Sequence, residues 1–384
     1  MHKPTMKSFS RFRVFFLLTV LLVIGMVILA RDHRPSFLRP GLRLHAYVTT
    51  GSDSVTVVDI VGLKAVAHIT VGPGLSGMRE HPTRPEIWGL SSAGGYAWVL
   101  DSRSNQITAR IPVGPLPFTL DFSRDGARAY TTSSGSNTLV AIDCQSRAIL
   151  ARSTTGAEPV LARVSPNGKT ILVVNRRGGS VEMHDAATLA LLHSVNVIAE
   201  PEDALILPDN SLAFVLSRSQ RRLSVVDLHS AVLLSNLVLA GQPSQMLLKP
   251  DGGELYVFSP ESHGLQVINT WTHEVGDYIL LGSAPTRGIL TEDSSALYVS
   301  DSAAGRVTPV DIFNRRVLGT IPAGQSPGAL RFSPVDPGEI PNLLLVVDEG
   351  SADLSFIRTR TNSLITVVQV GDHPKDLAVK LFKQ

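Results

Sequence analysis

The sequence predicts an all-β chain: a single β-propeller of eight blades, each with four antiparallel strands, preceded by an N-terminal transmembrane helix. Three observations carry this. A pattern returns every 42 residues, each copy holds four short strand-like runs, and the two ends of the repeating region cut the unit at complementary places. Seven blades is the alternative count.

The period is read by aligning Tyr47-Val48-Thr49, Val57-Val58-Asp59 and Ile69-Thr70-Val71-Gly72 with the downstream chain. The Asp that closes the middle strand recurs as Asp59, Asp101, Asp143, Asp185, Asp227, Asn269 and Asp311. Arg358 holds that place in the eighth copy, 47 residues on, with the extra five in the Pro- and Gly-rich segment Pro334 to Asn342. Eight units of 42 and those five residues account for residues 44–384. Within a unit, three runs alternate or are rich in β-branched residues, and a fourth follows a Gly-x-x-Pro corner, as at 114–117, 282–285, 324–327 and 371–374. No stretch after the tail has a 3.6-residue period. A stacked β solenoid is the rival, but it has fewer strands per repeat and needs capped ends. Here the chain begins on a second strand, Ala46 to Thr49, and stops after a first strand, Leu377 to Phe382. Pairing those two segments closes a ring and removes the free sheet edges.

Composition agrees. With 43% hydrophobic and 18% charged residues, the chain is neither disordered, nor a coiled coil, nor collagen-like. Its one cysteine, Cys144, excludes a disulfide framework, a multi-thiolate zinc site and a Cys-x-x-Cys-His haem attachment. Five of the 35 basic residues (Lys3, Lys7, Arg11, Arg13 and Arg31) precede the first acid, which leaves 30 against 33 acids from residue 32 onward. The basic balance belongs to the tail, so no nucleic-acid partner is expected.

Residues 14–30, VFFLLTVLLVIGMVILA, carry no charge and follow a basic segment, residues 1–13. The run is long enough to span a bilayer, and the positive charge ahead of it keeps the amino terminus in the cytoplasm. Cleavage after Ile28-Leu29-Ala30 is the competing reading. Either way the propeller, residues 44–384, is expected outside the cytoplasm, in the periplasm or on the cell surface, behind a tether of residues 31–43 with two prolines.

Ala46-Tyr47-Val48-Thr49, Val57-Val58-Asp59, Ile111-Pro112-Val113-Gly114 and Ser165-Pro166-Asn167-Gly168 resemble the YVTN-type β-propeller repeat, found also in surface-layer and cytochrome-d1-like propellers. The resemblance covers residues 44–384 and implies the propeller fold. That family holds binding scaffolds and cofactor enzymes alike. The asparagine of the pattern is mostly replaced, by Thr50 and Ser133, with Asn175 nearer to it.

The Asp series reads as structural, since an Asp ending a strand accepts the amides of its own turn. Gly72-Pro73-Gly74-Leu75-Ser76-Gly77 matches G-x-G-x-x-G but leads into a strand, without the helix terminus a pyrophosphate needs. His81, His263 and His373 fall on loops and would form a metal site only if different blades brought them together. Cys144 reads as a small core residue. No metal or cofactor is assigned.

Two charge patterns are candidate sites. The second-to-third loops of units four and five carry Arg176, Arg177, Arg218, Arg221 and Arg222, whereas those of units seven and eight carry Asp301, Asp348, Glu349 and Asp353. Such loops share one face of the disc, which is thereby basic on one side and acidic on the other. Arg103, Arg147 and Arg315 belong to third-to-fourth turns of the opposite face. The second pattern lies on the innermost strands, past the corners: Arg79, Asp121, Arg163, Asp203, Gln245, Arg287, Arg331 and Asp376. Alternation turns these toward the channel, as a closed network of ion pairs or a site for a small polar ligand. The function expected is binding: an exported, membrane-tethered scaffold whose loop face engages a protein partner or a small polar or anionic ligand. The alternatives are a periplasmic oxidoreductase with a quinone or d1-like haem, and a lactonase-like hydrolase.

Overall fold

The 42-residue unit folds as one blade, and the chain makes eight of them, in a computed structural model that describes residues 41–334 and 342–383. Strands are named here from the innermost, first, to the outermost, fourth. Blade 2 shows the scheme: Leu75–Glu80, Glu86–Ser91, Tyr96–Asp101 and Gln106–Pro112, each antiparallel to the next. The expected anchor and tether, and most of the five-residue insertion, lie outside the described residues. No described helix is long and apolar enough to cross a membrane.

Burial explains the sequence pattern strand by strand. The second and third strands are packed on both faces by neighbouring blades, so Glu86–Ser91 is buried throughout and such strands read as continuous apolar runs. The fourth strand lies at the rim and alternates, as in Gln106–Pro112. Among the described residues the core divides into eight hydrophobic clusters, one at each interface between blades. Two features were not expected. In seven blades a bulge shifts the register between the third and fourth strands, as between Val57 and Val58. It adds twist near the turn. In blade 7 the fourth strand is instead broken into Arg316–Val317 and Ile321–Pro322, with Gly319 between them at φ 140.

Blade 1 is built from both ends of the chain. Leu377–Lys383 supplies its first strand and pairs antiparallel with Leu42–Thr50, with Ala46 opposite Val379 and Val48 opposite Leu377. The second strand therefore starts at Leu42, ahead of the Ala46 read from the repeat.

Candidate functional site

The eight blades leave a central channel and two unlike faces. On one lie the third-to-fourth turns, and there the Asp series does what the sequence indicates. Asp101 Oδ1 accepts from the amides of Arg103 and Ser104 at 2.9 and 2.8 Å, and Asp143 does the same for Gln145 and Ser146. These turn hydrogen bonds hold the carboxyls of Asp143, Asp185, Asp227 and Asp311 below the usual range. Two arginines of these turns are not plain surface. Arg147 pairs with Glu86 at 2.5 Å and lies 5.0 Å over the Trp88 ring, while Trp88 Nε1 donates to the other Glu86 oxygen. Arg315, four blades round, repeats the arrangement with Glu254 and Tyr256. Both are half-buried clips between blades, so of the three turn arginines Arg103 is the exposed one.

The opposite face holds the arginine loops. Arg176 pairs with Glu158, and Arg177 is 3.9 Å from the same carboxylate. Arg218 is 3.3 Å from Glu202, and Arg221 is 3.2 Å from Glu261. Arg222 is exposed at the start of a third strand, with no ion pair among the described residues. The patch is thus largely neutralised by acids that the loop sequences alone do not reveal. For Arg176 alone a signal was present: Glu158 precedes a corner proline and stands 18 residues before it.

Across this face, blades 7 and 8 differ in an informative way. In blade 7 Asp301 accepts the amides of Ser283 and Ala284 and pairs with Arg306 at 3.5 Å. In blade 8 the same positions are Asp348 and Asp353, opposite each other in register and both buried. Ser355 donates to Asp348 Oδ2 at 2.6 Å, but Oδ1 of each aspartate has no partner unless the two share a proton. Burial and the facing Asp353 carboxylate push Asp348 up to about 8. Gly324 allows this packing, because a Cβ there would come within 2.7 Å of both aspartates.

The first strands bring the second candidate set together. Arg79 pairs with Asp121 at 3.5 Å, Arg163 with Asp203 at 3.4 Å and Arg331 with Asp376 at 4.0 Å, each pair spanning neighbouring blades. All six line a channel cavity of about 740 Å³, and Arg218 from the loops lines it too. The two remaining members stand apart. Gln245 is spent on the Gly288 backbone, accepting its amide at 2.7 Å and donating to its carbonyl at 3.3 Å. Arg287 is exposed on its strand outside the lining. The aspartates are held by main chain: Asp121 accepts from Val164 and Phe122, Asp203 from Ala204 and Asp376 from Leu377, at 2.8–3.1 Å. The guanidinium groups are not held in this way. Arg331 gives one bond to the Leu330 carbonyl, and the ion pairs are long, which leaves donors facing the cavity.

With this geometry in view, a family model described as YNCE-like beta-propeller matches residues 89–297. The chain belongs to that family. No curated protein matches it. Solved structures share the fold at low identity. Dihydro-heme d1 dehydrogenase NirN in complex with DHE aligns with TM-score 0.74 and 16% identity, over 90% of this chain and 76% of NirN. AztD from Citrobacter koseri aligns with TM-score 0.67 and 10% identity, over 89% and 99%. Kuenenia stuttgartiensis hydrazine synthase aligns with TM-score 0.58 and 18% identity, over 75% and 96%. These likenesses bear on the fold alone.

The family's fold also separates the three loop histidines. His81 sits on the face of the third-to-fourth turns, buried, with Nε2 on the Gly126 carbonyl and Nδ1 accepting the amides of Thr83 and Arg84. His263 and His373 stand in a second-to-third loop and a corner, toward the other face. No group of three or more His, Cys, Asp or Glu suited to a metal occurs among the described residues. Cys144 is fully buried and its thiol is pushed up to about 12 by burial. Gly72 to Gly77 run through a corner into a first strand.

Proposed function

We propose that this propeller binds a small anion rich in hydrogen-bond acceptors within its channel, outside the cytoplasmic membrane to which residues 14–30 tether it. One observation carries the reading. Asp121 has both carboxylate oxygens on backbone amides and Asp203 and Asp376 have one each, whereas Arg79, Arg163, Arg331 and Arg218, each beside a single carboxylate, line a cavity of small-ligand size with more donors than those partners use. A carboxylate or phosphate suits planar forks of this kind. Docking of a protein on the arginine loops ranks second: those arginines are paired with acids as the channel arginines are, but of the five only Arg218 lines the channel cavity. The oxidoreductase and lactonase readings find less support in the lining, which offers arginine and carboxylate but no His or Cys.

Calorimetric titration of the purified protein with citrate and with inorganic phosphate tests this. Binding should weaken as salt rises. Arg163→Gln and Arg331→Gln should each lower affinity about tenfold or more, the value of a charge-assisted hydrogen bond. Arg103→Gln, on the far face, should leave it unchanged. An equal loss in all three variants, or no heat with either anion, would retire the channel site. The location is tested separately by a reporter fused after Gln384: activity of one that works only in the cytoplasm would refute it.

A further inference from the structure

Trp271 and Phe313 stand 42 residues apart at equivalent positions, the third-to-fourth turns of blades 6 and 7, with 81% and 91% of their surfaces exposed. The turn itself needs no aromatic group. Arg103, Gln145, Ala187 and His229 fill that position in blades 2 to 5, and the turns are held by Asn269 and Asp311 through backbone amides. Beside Trp271 opens a cavity of about 470 Å³ between blades 5 and 6, lined by Leu207, Pro208, Leu212 and His273, with Asp209 and Asp251 at its edge. It is largely apolar, unlike the channel. Two adjacent exposed aromatics and an apolar recess form a surface that prefers a partly apolar environment to water.

The path of the chain supplies the occupant. Residue 41 leads into blade 1 on this same face. His45 lies opposite Asp59, and the Ile60 amide donates to the Leu44 carbonyl at 3.0 Å, which puts the start of the strand beside a third-to-fourth turn. Blade 1 is two places round the ring from blade 7. The apolar run ends at Ala30, so residues 31–40 can hold blade 1 no farther than about 36 Å from it, at about 3.6 Å per residue. Lys64, Arg316 and Arg360 are exposed around the turns of blades 1, 7 and 8, but Asp209, Asp251, Glu274, Glu292 and Asp293 are exposed on the same face, so the rings and the recess, not attraction to anionic headgroups, carry the contact.

We infer that this sector rests on the outer surface of the bilayer, with the Trp271 and Phe313 rings at headgroup depth, where tryptophan and other amphipathic aromatics concentrate. The channel mouth ringed by the arginine loops then faces away from the membrane. This orientation rests on the anchor reading, and the experiment separates the two. Trp88 and Trp98 are fully buried, so Trp271 is the exposed member of the three tryptophans.

The full chain is reconstituted into vesicles of phosphatidylcholine and phosphatidylglycerol with brominated or ordinary acyl chains. The expected result is flotation with the vesicles and loss of most Trp271 emission in the brominated ones. Trp271→Phe should abolish that difference, and Phe313→Ser should reduce it without unfolding the protein. Flotation with Trp271 open to aqueous iodide and untouched by bromine overturns the seat but keeps the anchor. Failure to float overturns both. Crosslinks between copies through position 271, with no bromine quenching, would assign the surface to a second copy of this chain instead.

Discussion

A chain truncated before Pro374 should fail to hold the ring. The missing segment contains the first strand of blade 1, in which Leu377 and Ala378 are fully buried and Val379 and Phe382 nearly so. It completes the cluster that joins blades 8 and 1 and is fixed to the other end of the chain by more than apolar contact. The Thr49 amide donates to the Asp376 carbonyl at 2.9 Å, and the Asp376 amide donates to Thr49 Oγ1 at 2.9 Å. Burial contributes about 1.5–3 kcal/mol for each of Leu377, Val379 and Phe382. Together these approach the whole stability of an ordinary domain, about 5–15 kcal/mol. The truncation also uncovers the edge of Leu42–Thr50, a strand rich in β-branched and aromatic residues that would pair with other chains. Thermal melting and sedimentation should show a large loss of stability together with association. A truncated chain that melts like its parent and stays monomeric would mean that the pairing does not close the structure.

The ring was legible in the sequence because its cause is periodic. A blade cannot bury both faces alone, so the same apolar spacing and turn Asp must recur at each interface, and Asp59 to Asp311 mark it at 42-residue intervals. The register bulges were not legible, since they come from strand twist and leave the period unchanged. At the site, six of the eight residues that alternation turns toward the channel, Arg79, Asp121, Arg163, Asp203, Arg331 and Asp376, line one cavity, and Arg287 and Gln245 do not. Alternation did not show that Gln245 is consumed by the Gly288 backbone of the next blade. The loop arginines were visible as a cluster, but Glu202 and Glu261 stand at no repeating offset from Arg218 and Arg221 and meet them only in three dimensions. Arg147 and Arg315 show the same limit, because their partners Glu86 and Glu254 lie 61 residues away.

Asp348→Asn should stabilise the protein at high pH and flatten its pH dependence. In blade 7 a buried carboxylate faces Arg306; in blade 8 Asp353 takes the cation's place, so Asp348 is stable in the fold chiefly as the neutral acid. Its proton affinity is higher folded than unfolded, the reverse of a salt-bridged aspartate. Between the ordinary carboxylate range and about 8 the native state therefore binds the additional proton, and stability falls as pH rises through that window. Asparagine supplies a neutral group of the same shape: its oxygen can accept from Ser355 and its amide can donate to Asp353. The gain at about pH 9 should be about 1–3 kcal/mol or more, the desolvation cost of a buried group left unsatisfied. Asp301→Asn is the opposing control, since it leaves Arg306 without its carboxylate and should destabilise. Melting curves of the three proteins from about pH 5 to about pH 9 decide it. If the parent and Asp348→Asn show parallel pH profiles across that range, Asp348 is already charged in the fold and the shared-proton account of blade 8 is wrong.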